Sequence, residues 1–117
     1  MANTAQIVRY TTPVHKVILR GADLTGFEVH VTYRQEPGHN QNPIVIDKTG
    51  LDVALVDEDT VITCPLTQEE TGSLMRGRVA VQVNWIDGTG FRDAVRRPKI
   101  LQVIDNELEG VIEYGEQ

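Results

Sequence analysis

The residues in this chain whose types could do chemistry are three histidines, one cysteine, one serine and a few charged clusters. His15, His30 and His39 lie far apart, with no second His or Cys at the short separations at which zinc ligands come. Cys64 stands in a strand-like stretch beside Pro65 and reads as a buried, inert thiol. As the single cysteine it forms no internal disulfide. Ser73 lacks the glycine-flanked elbow that exposes a serine nucleophile. Asp57–Glu58–Asp59 offers oxygens to a hard cation, but not the alternating spacing and glycine of a calcium loop, so it reads as a solvated turn. Gly88–Thr89–Gly90 has neither the lysine nor the following helix of a phosphate loop and reads as a hairpin. The seventeen acidic residues single out no carboxylate pair. The expectation is a protein that is no enzyme and takes no metal and no cofactor.

Charge is more informative. Six of the eleven cations fall within residues 76–99. Arg92, Arg96, Arg97 and Lys99 form the candidate interaction surface, suited to an acidic partner. The plainer reading of the same run is an edge strand blunted by charge. Residues 105–117 carry five acids and no cation, so the net charge of −6 belongs almost wholly to this end. The division expected is one domain over residues 1–104 and an acidic C-terminal tail over 105–117. Leu108, Val111, Ile112 and Tyr114 give the tail apolar residues with which to dock on a basic surface of its own chain or a neighbour; a frayed end is the alternative. The negative charge argues against a nucleic-acid partner. No run approaches the roughly 20 apolar residues of a membrane span, and the opening MANTAQIVRY has no secretory pattern.

The elements that would position these residues are strands. Fifteen Val, nine Ile and eleven Thr outnumber eight Leu and six Ala, and side chains branched at Cβ suit a pleated surface better than a helix. Val14 to Arg20 reads as a strand, with Ile7 and Val8 a short lead-in. Phe27 to Arg34 alternates, with Phe27, Val29, Val31 and Tyr33 on one face. Ile44–Ile46, Leu51–Leu55 and Thr60–Leu66 follow, with Pro65 marking a strand end or edge. Thr67 and Glu70 have the spacing of a capping box and predict one helical turn. Gly77 opens a strand with Val79, Val81, Val83 and Trp85 on one face, expected to pack inward against the Phe27–Tyr33 face. Asp87–Gly88 predicts a tight hairpin, with Phe91 to Arg97 as the returning strand and Lys99 to Ile104 as the last. Seven to eight strands joined by short turns predict an all-β sandwich.

Three stretches carry a resemblance. They are Ala22–Asp23–Leu24–Thr25–Gly26 ahead of Phe27–Arg34, Leu66-Thr67-Gln68-Glu69-Glu70 ahead of Gly77, and Gly77-Arg78-Val79-Ala80-Val81-Gln82-Val83 leading into Asp87-Gly88-Thr89-Gly90. Over about residues 12–104 the chain resembles the immunoglobulin-like N-terminal domain of phage baseplate upper proteins and other small phage tail modules. That resemblance implies an immunoglobulin-like β-sandwich and a structural role in a phage or prophage tail or baseplate. Its partners would be other phage structural proteins or copies of itself. It implies a virion component, made in the cytoplasm without a signal peptide. The chain departs from the family in stopping soon after the domain rather than continuing into a fibre-like region. A carbohydrate- or receptor-binding sandwich is the alternative, although six aromatics, three of them on core faces, make a poor sugar platform.

Overall fold

The computed structural model describes residues 5–38 and 40–113; the expectations at His39 and Tyr114 lie outside them. Strands form where the alternation of apolar and polar residues places them: β1 (Gln6–Val8), β2 (Val14–Leu19), β3 (Glu28–Gln35), β4 (Ile44–Lys48), β5 (Asp52–Val56), β6 (Asp59–Pro65), β7 (Gly77–Ile86), β8 (Arg92–Ala94) and β9 (Lys99–Ile104). One helix, α1 (Gln68–Ser73), lies between β6 and β7. Among the described residues this is nine strands rather than seven or eight, because β1 and β8 are three-residue pieces.

Two sheets face each other. One runs β1-β9-β7-β3-β4 with β8 also on β7, and the other runs β2-β6-β5. This is the strand order of an immunoglobulin-like sandwich, with β2, β6 and β5 in the places of strands B, E and D, and β4, β3, β7 and β9 in those of C′, C, F and G. The order differs from the expected packing of two predicted faces. Val29, Val31 and Tyr33 pair with Trp85, Val83 and Val81, so they are side-by-side neighbours on one sheet, not opposed layers. What opposes them is the small sheet, through Ile62 and Cys64, both wholly buried, with Val17 and Leu19 packed beside them. Trp85, at the far end of β7, is half-buried.

Local chemistry fixes the joints. The Thr67 hydroxyl accepts from the Glu70 amide at 3.1 Å while the Glu70 carboxylate accepts from the Thr67 amide at 2.9 Å, completing the capping box. The same carboxylate holds Lys48 of β4 at 2.8 Å, tying α1 to the large sheet. Burial pushes the Glu70 carboxyl up, but Lys48 and the Thr67 amide outweigh it and hold the group below its ordinary value. Gln35, only 3% exposed, turns its amide to the backbone of Met75, accepting from the nitrogen at 2.7 Å and donating to the carbonyl. It thereby behaves as one more rung of ladder.

The hairpin after β7 is wider than the predicted tight turn. The Asp87 carboxylate accepts from the amides of Thr89 and Phe91 at 2.9 and 3.0 Å, and the positive φ of +92° falls on Gly90, not on Gly88. The returning strand is also shorter than Phe91 to Arg97. Asn84 pairs with Ala94, but Val81 pairs with Lys99, so two extra residues are inserted opposite β7. The insertion breaks the strand into β8 and β9 and holds Arg96 and Arg97. Residues 92–99 are therefore a bulged segment bonded to β7 on one side only, because β1 joins β9 only from Gln102 onward, and they form a charged edge.

Candidate interaction surfaces

The bulge sends the four predicted cations to different places. Arg92 lies on the outer face of the large sheet, donating to the Asn84 side chain at 3.1 Å. Arg96 folds back on the Asp93 carboxylate and donates to the Ala94 carbonyl at 2.8 Å. Asp93 is held below its usual range by that guanidinium. Arg97 and Lys99 point the other way, to the rim of a cleft between the sheets. The predicted surface is thus not one patch, and only Arg97 and Lys99 act together.

Sequence reasoning missed what they act with. The cleft, about 530 Å³, lies between β2 on one side and β7 and β9 on the other. Its walls are apolar, with Val17, Leu19, Val81, Val83 and Leu101 among them, and its charged lining is Lys16, Arg20, Arg97 and Lys99. Among the described residues no carboxylate lines it. Arg20 reaches Asp59 at 3.6 Å, whereas Lys16, Arg97 and Lys99 have no carboxylate partner among the described residues. The sequence marks Val14 to Arg20 as a strand. That β2 would be an edge facing this cleft was not visible there.

The ladder shows which groups of β2 are open. The Leu66 amide donates to the Pro13 carbonyl at 3.0 Å, so 13 and 66 form a hydrogen-bonded pair. In an antiparallel ladder such pairs alternate, so His15, Val17 and Leu19 also bond to β6, while Val14, Lys16 and Ile18 turn their N–H and C=O outward. No other described strand pairs with that side of β2. Val14 and Ile18 are 57% and 51% exposed. This is an open, apolar edge.

Two histidines mark the two sheets. His15 faces the interior, its Nδ1 2.6 Å from the Tyr33 hydroxyl, which in turn lies 3.7 Å from the Cys64 sulfur. Burial lowers the His15 pKa and raises those of Tyr33 and Cys64, so all three are neutral near pH 7. A neutral, buried thiol is a poor nucleophile. His30 sits on the outer face of the large sheet between Glu28 at 2.7 Å and Asp47 at 2.9 Å, and these carboxylates raise its pKa. With Arg92 and Asn84 the cluster lines a shallow depression of about 270 Å³. No group of three or more His, Cys, Asp or Glu residues suited to a metal ion occurs among the described residues.

The start of the acidic tail does not lie on the predicted cations. Asp105 reaches Arg9 at 3.7 Å and the Asn106 side chain donates to the Arg9 carbonyl at 2.9 Å. Farther on, Gln68 of α1 grips the backbone of Ile112, accepting from its amide at 2.8 Å and donating to its carbonyl at 3.0 Å. Leu108 and Ile112 remain 59% and 62% exposed. No family model and no curated protein matches the chain.

Proposed function

We propose that this protein is a structural component of a phage or prophage tail or baseplate and works through protein–protein contacts. The observation that carries the contact part is the open edge of β2 beside an apolar, cation-rimmed cleft, a surface built to add a strand from another chain. The phage assignment rests on the resemblance carried by Ala22–Gly26 with Phe27–Arg34, by Leu66–Glu70, and by Gly77–Val83 leading into Asp87–Gly90, supported by the sandwich strand order they occupy. The test is location. In the organism that encodes the chain, particles induced and banded on a density gradient should contain it at stoichiometric levels. Its exclusion from purified particles would overturn the assignment.

Carbohydrate or receptor binding is the second reading, and the depression with Glu28, His30, Asp47, Asn84 and Arg92 is the feature that favours it. Trp85 borders that depression but packs toward the core, so its ring face is not offered for stacking on a sugar. A glycan array on the purified protein separates the two. Specific binding lost in Arg92→Ala would favour the second reading.

A further inference from the structure

We infer that the open edge of β2 receives the acidic C-terminal segment of a second copy of this chain as an added strand. This rests on the reading of the cleft as a protein-binding surface and names its occupant. The first support is charge. Lys16, Arg97 and Lys99 stand at the cleft without a carboxylate partner among the described residues, and residues 105–117 carry five acids and no cation. Lys16 also opposes pairing of β2 with another β2, because an antiparallel match centred on it sets two lysines side by side.

Pattern is the second support. From Glu107 to Tyr114 the even positions hold Leu108, Gly110, Ile112 and Tyr114 and the odd ones hold Glu107, Glu109, Val111 and Glu113, an alternation that Val111 alone interrupts on the acidic side. An extended strand puts the first set on one face and the second on the other. On the edge of β2 the apolar face would cover the cleft and the acids would lie on the outer side beside Lys16, with Arg97 and Lys99 at the cleft rim acting on them at longer range. Lengths agree: the six residues of β2 span about 20 Å and residues 107–113 about 23 Å when extended.

The third support is where the tail lies now. Contacts of Asp105 and Asn106 with Arg9 and of Ile112 with Gln68 lead it to the first residue of α1, and none of its described residues pairs with β2. It is held there by a few hydrogen bonds, with Leu108 and Ile112 largely in water. Moving it to a neighbour exchanges the Gln68 grip for a strand ladder and buries Leu108 and Ile112. Each copy would then offer one edge and one tail. Such a head-to-tail contact closes into a ring or continues as a filament.

The experiment is sedimentation of the full chain over a range of concentrations and salt. Association that rises with concentration and weakens by about tenfold or more at high salt is expected. Full-length Lys16→Glu/Lys99→Glu should be monomeric, as should Glu107→Lys/Glu109→Lys/Glu113→Lys. Mixed together, these two variants should associate again, because the reversed tail fits the reversed edge. Ile18→Pro gives a separate check, since it removes an outward amide and leaves the bonds to β6 in place. Gln68→Ala should strengthen association by freeing the tail. A full chain that stays monomeric at all concentrations overturns the inference. So does association that survives both charge reversals. Neither result touches the presence of the chain in particles, which is read separately.

Discussion

The two sheets draw on the same kinds of residue and finish their outer faces differently. On the large sheet the outward side chains satisfy each other: His30 bridges Glu28 and Asp47, Thr32 donates to Asp47, and Arg92 donates to Asn84. On the small sheet the outward positions are Val14, Lys16 and Ile18 of β2, Asp59, Val61, Thr63 and Pro65 of β6, and Asp52, Ala54 and Val56 of β5. Val56 is 53% exposed, and Lys16 has no carboxylate partner among the described residues. The large sheet presents polar side chains that pair with each other, with Val45 and Ile100 exposed beside them. The small sheet presents apolar surface and unused backbone, which is what a partner strand needs.

The comparison breaks first at the layer the sheets share. Ile62→Ala removes the wholly buried side chain of β6 that faces the large sheet and should cost about 3 kcal/mol in a urea melt. Trp85→Ala, at the half-buried end, should cost less, about 2 kcal/mol. If Trp85 proves the costlier of the two, the core is centred nearer the hairpin than described. Next comes the strut between α1 and β4. Glu70→Ala removes half the capping box and leaves Lys48 without its carboxylate, so about 2 kcal/mol should be lost. The exposed neighbour Glu69→Ala should change stability by under about 0.5 kcal/mol.

Much of this was legible in the sequence, and the failures have a common cause. Alternation placed β3 and β7 and their shared inward face, because each needs only its own side chains to declare which side is wet. The Thr67–Glu70 box was legible for the same reason, being local. Gln35 was not: a polar residue on an inward position looks like a strand end until its partner, the Met75 backbone, is brought beside it from far along the chain. The two-residue bulge was hidden too, because a register between strands is a property of the pair. That bulge separated Arg92 and Arg96 from Arg97 and Lys99 and carried the latter two to Lys16.

A smaller effect sharpens the contrast through pH. His30 has a raised pKa in the folded state, so its contribution is full below its unfolded value near 6.5 and fades as pH rises through the folded value. His15 has a lowered pKa, so the folded state is fully favoured above about 6.5 and loses ground as pH falls toward the folded value. Melting curves of His15→Gln and His30→Gln, compared with the parent between about pH 5 and 8, should therefore diverge in opposite directions. Imidazole titrations by NMR would read the two shifts directly, and shifts of the same sign would contradict the inside–outside assignment. The smallest expected change is Ile18→Thr. It should leave stability within about 0.5 kcal/mol while lowering self-association.

The parallel pair of β1 and β9 has a consequence for how the chain comes to be folded. Gln6 stands opposite Gln102, and the Gln102 amide donates to the Ala5 carbonyl at 2.9 Å while the Arg9 amide donates to the Ile104 carbonyl at 3.0 Å. The first described strand is thus clasped by the last. Until residues beyond Lys99 leave the ribosome, β1 has no partner in its sheet and β7 lacks the neighbour its first half needs. The intervening strands can pair and pack in the meantime, but the large sheet closes only once residues 99–104 have been made. Pairings that join such distant parts of a chain are slow to form.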